Sequence, residues 1–177
     1  MALRTIRNVP DPVLRQKAKR VKSLDRSLRQ LIADMKETMA DANGVGLAAT
    51  QVGVSLRIIV ISVPHKDRKN EEYTIINPEI VRRKGERIVK EGCLSIPGYI
   101  GEIRRSEQVR LRGTDMEGKE VKLHAEGLLA EVLEHETDHL NGVLYVDHLE
   151  SQDKLEKVEP PVPCLNRPLH KTPNPEQ

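Results

Sequence analysis

An α+β fold, with helices at either end of a block of strands, is predicted by three features of the sequence. A helical repeat occupies residues 24–40, strand-like alternation runs through most of 56–125, and a second helical repeat fills 126–140. At 177 residues the chain suits a single domain with a sizeable core. We divide it into a body at 1–157 and a tail at 158–177, where the prolines of EPPVPCLNRPLHKTPNPEQ lack backbone donors and oppose regular structure.

In the first helix Leu24, Leu28, Leu31, Ile32, Met35 and Met39 recur at steps of three and four, which makes it amphipathic. Ser23 or Asp25 can cap its start, and Asn43-Gly44 can end it. LRIIVISV (56–63) reads as a strand, followed by the charged loop HKDRKNEE. Further strand-like pieces are YTIINP, EIVRR, ERIVKEGCL, QVRLRG and KEVKLHA, with a turn at 115–120. In the second helix Leu128, Leu129, Val132, Leu133 and Leu140 are the apolar positions, and Asn141-Gly142 closes it. We find no internal repeat.

Composition narrows the function. Phe and Trp are absent and only three Tyr occur, so Leu, Ile, Val, Ala and Met must supply the core. With 29 basic against 27 acidic residues, and no basic block interleaved with aromatic residues, the chain has no evident nucleic-acid site. The longest apolar stretch, IIVISV, is strand-sized, and the N-terminal residues lack a signal-peptide core. Cys93 and Cys164 stand far apart in dissimilar surroundings, which argues against a disulfide framework and for a reducing compartment. These features together predict a soluble cytoplasmic protein without a membrane partner.

The chemistry is concentrated in LEHETDHLNG (133–142). Residues four apart on a helix lie about 40° from each other, so His135 and His139 can bind one ion. Glu136 points to the flank, where it can act on water as a general base. Leu128, Val132, His135 and His139 share a face, so the imidazoles continue an apolar stripe and point inward, where they need a partner.

The third ligand is not in the helix. Against the metzincin pattern HExxHxxGxxH, Gly142 fits, but Tyr145 stands in the ligand position and His148 lies three residues beyond it. Cys93, in KEGCLSIPGY, is the better ligand: Gly92 lets the backbone approach an ion, and the preceding strand would fix the sulfur. A thiolate with two imidazoles suits zinc, iron or cobalt.

GVGLAATQVG (44–53) fits a GxGxxA dinucleotide pattern at residues 44–49, but a helix precedes it and a strand follows, the reverse of the required context. The alternative is a loop that exposes backbone groups to a ligand and projects the Gln51 amide.

Taken in order, GVGLAATQ, EGCLS and HETDH resemble the motifs of the peptide deformylase family, and VPDPVLRQKAKRV resembles its N-terminus, a likeness covering roughly residues 4–150. The resemblance implies antiparallel sheets surrounding the HExxH helix. It also implies removal of the N-formyl group from formyl-methionyl nascent peptides at the ribosome, with release of formate. Cys93, His135 and His139 would hold one divalent ion, Fe2+ in the cell, with Zn2+, Ni2+ or Co2+ as substitutes. Glu136 would be the general base and acid, and the Gln51 amide and Leu94 N–H would stabilise the oxyanion. The backbone around Gly46 would pair with the peptide, Val89, Leu128 and Val132 would line the methionine pocket, and Glu91 with Arg105 would support the site.

Two positions depart from the family pattern. Glu131 stands beside the pocket where some relatives are apolar, and Ile100 replaces an arginine found near substrate in others. A bacterial source and a mature organellar form are both compatible with the sequence. A metallopeptidase would use the same helix but lacks its downstream ligand here. A structural metal site would need a fourth protein ligand.

Overall fold

The computed structural model describes residues 2–65 and 69–159. Its first helix, α1 (Arg26–Asp41), starts where Asp25 accepts a hydrogen bond from the Leu28 N–H at 2.9 Å. Leu28, Leu31, Ile32, Met35 and Met39 are buried along one side of it. Asn43, at φ 53°, turns the chain away from the helix axis.

There follow β1 (Gly46–Ala48), a 3-10 turn at Ala49–Val52, β2 (Ile58–Val63), β3 (Glu71–Lys84), β4 (Arg87–Cys93), β5 (Ile96–Arg105), β6 (Gln108–Thr114), β7 (Glu120–Glu126), α2 (Gly127–Leu140) and β8 (Leu155–Lys157). The strands form two antiparallel sheets, ordered β1-β2-β3-β6-β7 and β4-β5-β8. With helices outside the strand block, the architecture is α+β.

Burial on both faces explains the apolar run Ile58–Ile61 in β2. Ile59, Ile61 and Val63 pack in one cluster with Ala130, Val132, Leu133 and Leu140 of α2. Ile58 and Val60 point the other way, into the cluster formed by the apolar side of α1. Each such Ile or Val contributes about 1.5–3 kcal/mol on leaving water. The large sheet therefore lies between the two helices, and α2 is held against it by its apolar side.

Four features differ from the sequence reading, the first being that the loop expected at 44–53 contains β1, which pairs with β2. YTIINP and EIVRR belong to one strand, β3, in which Pro78 falls at one of two register shifts. A bulge tolerates a proline because no ladder donor is needed there. The adjoining Asn77 accepts from the Val21 N–H at 2.8 Å and donates to the Val21 carbonyl at 3.0 Å. β5 has no counterpart in the reading because Pro97, Gly98 and Gly101 resemble a loop. Gly101 answers to packing, since a Cβ there would lie 2.8 Å from the Tyr145 ring. At the C-terminal end β8 pairs with β5, and the Val158 N–H still reaches the Gly98 carbonyl at 2.9 Å. The remainder of the tail expected at 158–177, from residue 160 onward, lies outside the described residues.

The N-terminal residues tie separate parts together. The Arg7 N–H donates to the Gln51 carbonyl at 2.7 Å and the Val9 N–H to the Ser95 carbonyl at 3.0 Å. The other side of α2 is fastened by charges. The Glu134 carboxylate accepts from Arg83 Nε at 2.8 Å and from the Ser106 N–H at 2.8 Å, which fixes the β5–β6 turn. Arg87 Nη2 of β4 reaches both Glu131 Oε2, at 3.1 Å, and the Gly127 carbonyl, at 2.7 Å.

Glu131 is 1% exposed, and burial, reinforced by the nearby Glu91 charge, raises its pKa to about 7. Between pH 4.5 and 7 the unfolded chain releases this proton while the folded chain keeps it, so stability falls as pH rises across that window. Relative to Glu131→Gln, metal-free protein should lose roughly 3 kcal/mol of stability over the window and none above it. Urea unfolding at half-unit pH steps measures this; parallel curves for the two proteins would contradict it.

Candidate active site

Three segments place the reactive side chains. The C-terminal end of β4 delivers Cys93, α2 delivers His135, Glu136 and His139, and the turn after β1 delivers Gln51. Cys93 Sγ lies 3.2 Å from His139 Nε2, which lies 3.2 Å from His135 Nε2, and all three side chains are buried. The three atoms lie within 4.8 Å of one another. A tetrahedral ion bonded to nitrogen and sulfur would hold such atoms about 3.4–3.6 Å apart. The residues therefore fit an ion: three electron-pair donors crowd one point in the interior.

His135 is oriented from behind. Its Nδ1 lies 2.8 Å from Glu91 Oε2, which leaves Nε2 facing His139 Nε2 and Cys93 Sγ. Arg105 grips the same carboxylate with Nε at 2.7 Å and Nη2 at 3.0 Å. Its Nη1 also donates to Asp138 Oδ2 at 2.6 Å, and His148 Nε2 lies 2.8 Å from that oxygen. Burial alone would raise the Glu91 pKa, but the His135 hydrogen bond and charge, followed by those of Arg105, outweigh it and lower it. Burial likewise opposes the charge on Arg105, yet Glu91 and Asp138 hold its pKa above the ordinary value. Glu91 is thus favoured as a carboxylate behind His135.

The imidazoles differ in turn. Burial acts against protonation of His135, but Cys93 and Glu91 overcome it and raise its pKa well above normal. His139 is held well below normal, first by burial and then by its charged neighbour His135.

Glu136 has the opposite environment to Glu91. It is 2% exposed, its Oε2 has no hydrogen-bond partner among the described residues, and burial raises its pKa to about 7. A carboxyl so placed can both accept and return a proton near neutrality. Gly46 is the reason it fits, because a Cβ at that position would collide with the Glu136 carboxylate.

Gln51 is locked by its own loop. Its Oε1 accepts from the Ala48 N–H at 2.8 Å, so its NH2 faces the site, 3.6 Å from Cys93 Sγ and 3.2 Å from Ser95 Oγ. Leu94, half-buried, follows Cys93 in the turn between β4 and β5.

The sequence-predicted residues are not all gathered equally. Cys93, His135, His139, Glu136, Gln51 and Gly46 meet in one place, with Glu91 and Arg105 paired behind. The three residues expected to line a pocket fall in two clusters: Val89 packs with Cys93, Ile103 and Tyr145, whereas Val132 packs toward the large sheet with Leu128 against it. Four contributors escaped the sequence reading. Ser95 receives the Gln51 amide, Asp138 and His148 extend the Arg105 chain, and Tyr145 places its ring 6.4 Å from that of His135. Asp138 alone carried a signal, as the residue inside the HExxH spacing that points away from the ion.

Comparison with known proteins shows which family the chain falls in. A family model described as Polypeptide deformylase matches residues 3–155. A peptide deformylase of Dehalococcoides mccartyi strain CBDB1 is 55% identical over 160 residues, 90% of this chain and 94% of the relative. A solved peptide deformylase from Legionella pneumophila, 50% identical, superposes with a TM-score of 0.81 over 86% of this chain and 89% of that one. Another, from Acinetobacter baumannii and bound to Met-Ala-Ser, is 31% identical with a TM-score of 0.79, over 84% of this chain and 99% of that one. The chain thus belongs to the peptide deformylase family, metal-dependent hydrolases that remove the formyl group from an N-terminal formyl-methionine.

Proposed function

We propose that Cys93, His135 and His139 hold one divalent ion, Fe2+ in the cell, and that Glu136 moves the proton when this deformylase releases formate from formyl-methionyl peptides. The observation that carries the reading is the convergence of one sulfur and two Nε2 atoms beside a buried carboxyl oxygen without a partner. When bound, the ion would lower the pKa of water and polarise the formyl carbonyl.

The chain's own residues do the rest. Glu136 takes the proton of the attacking water and returns it to the amine nitrogen as the C–N bond breaks. Gln51, with its carbonyl already held by Ala48, can turn its NH2 toward the oxyanion without reorganising, and the Leu94 N–H is the second donor. One such donor is worth roughly 3–4 kcal/mol in the transition state. The backbone at Gly46 pairs with the peptide in the manner of an added strand. Val89, Leu128 and Val132 offer apolar surface to methionine from two sides.

A structural site would be closed by a fourth protein ligand, whereas these three are the only group of its kind among the described residues. The substrates are nascent peptides met at the ribosome, and the compartment is the bacterial cytoplasm. Bacterial relatives support that assignment, and no helix among the described residues is long and apolar enough to cross a membrane.

The test uses formyl-Met-Ala-Ser, acetyl-Met-Ala-Ser and an internal peptide with the iron- or nickel-loaded protein. Formate should come from the first, little reaction from the second, and no cleavage from the third. Glu136→Gln should retain one ion per chain and lose at least about 100-fold in kcat. Internal cleavage without formate would make the protein a peptidase, and loss of the ion in Glu136→Gln would make Glu136 a ligand.

A further inference from the structure

Glu131 and Arg87 take no part in the chemistry above, yet they hold two unsatisfied buried atoms. Glu131 Oε1 and Arg87 Nε each lack a hydrogen-bond partner among the described residues. The first accepts and the second donates, and both belong to the same ion pair. A partner-free buried donor or acceptor is costly unless something completes it.

Their position shows what that could be. Along β4 residues 87, 89, 91 and 93 alternate inward, so Arg87, Val89, Glu91 and Cys93 lie on one face of the strand. Two bridges run from this face to α2: Glu91 to His135 beside the ligands, and Arg87 to Glu131 one helical turn earlier. Val89 lies between the bridges, two residues or about 6.6 Å along the strand from each. On the helix, at 100° per residue, Glu131, His135, Leu128, His139 and Val132 follow one another within an arc of about 100°. The stretch assigned to the methionine side chain is therefore bounded by the ligands at one end and by the Arg87–Glu131 pair at the other.

Resting on the reading of Val89, Leu128 and Val132 as that pocket, we infer that Arg87 and Glu131 form a polar subsite at its end. It takes an unbranched first side chain of methionine length that ends in a hydrogen-bonding group, methionine sulfoxide or glutamine, alongside methionine itself. Arg87 Nε–H meets the sulfoxide or amide oxygen, and Glu131 Oε1 meets an amide N–H. A site built from buried polar atoms discriminates strongly between ligands that complete them and ligands that do not. An apolar pocket wall would instead reject the polar end.

The experiment compares kcat/KM for formyl peptides X-Ala-Ser, where X is methionine, norleucine, glutamine or methionine sulfoxide, using metal-loaded full-length protein. In the wild type the glutamine and sulfoxide peptides should lie within about tenfold of norleucine. In Arg87→Leu/Glu131→Leu, which removes both charges together and leaves neither unpaired, the ratio of polar to norleucine substrate should fall about 10- to 100-fold. Arg87→Lys keeps the charge but has no Nε–H at that position, and should lower the sulfoxide ratio with its metal content unchanged. An unchanged ratio in both variants, or wild-type rejection of both polar substrates by more than about 1,000-fold, overturns the subsite. Absence of formate from the methionine peptide removes the deformylase reading itself, and the subsite with it.

Discussion

The Glu91 carboxylate, buried between Arg105 and His135, is the constraint on which the site depends. It joins β4 of the small sheet to α2, which the large sheet holds by its apolar side. A second bridge, from Arg87 to Glu131, joins the same strand and helix one turn earlier. Removing one member of such a buried pair costs about 3–5 kcal/mol, because the remaining charge is stranded. Arg105 extends the fixation to Asp138 on α2 and, through it, to His148. One carboxylate therefore orients His135 and helps to set the spacing between the strand that carries Cys93 and the helix that carries the histidines.

The same environment separates two buried glutamates near the Cys93–His135–His139 cluster. Glu91 has an arginine and a histidine against it and remains charged. At Glu136 burial outweighs the opposing His135 and Arg105 charges, and its pKa rises to about 7. Two carboxyls pushed apart in this way can serve different tasks, one positioning and one carrying a proton. Gly46 permits the arrangement by leaving room for Glu136, and Gln51 completes it with a carbonyl fixed by its own loop. The N-terminal residues secure both loops through the Gln51 and Ser95 carbonyls, which gives a structural reason for that segment to accompany the three motifs.

Much of this was legible in the sequence, and the reasons are local. Helical spacing fixed the inward direction of His135 and His139, and Asp25 and Asn43-Gly44 marked the ends of α1. What could not be read depends on distant packing. Glu134 acquires its partners only because Arg83 arrives from β3 and Ser106 from the β5–β6 turn. His148, too far along to be a ligand, acquires a role only once Asp138 is turned toward it. β5 was hidden because Pro97 and Gly101 oppose strand formation locally, and only the Tyr145 ring explains the second of them. The split of Val89 from Leu128 and Val132 is a tertiary fact of the same kind, invisible to a motif.

The central claim is that β4 and α2 together present one thiolate and two imidazoles to a single ion, with one position left open. X-ray absorption at the metal edge of the iron-loaded protein tests it most directly. The account predicts one sulfur neighbour at about 2.3 Å, two imidazole nitrogens at about 2.0–2.1 Å and one lighter atom that exchanges with solvent. A shell without sulfur, or four protein ligands with no exchangeable neighbour, would contradict it.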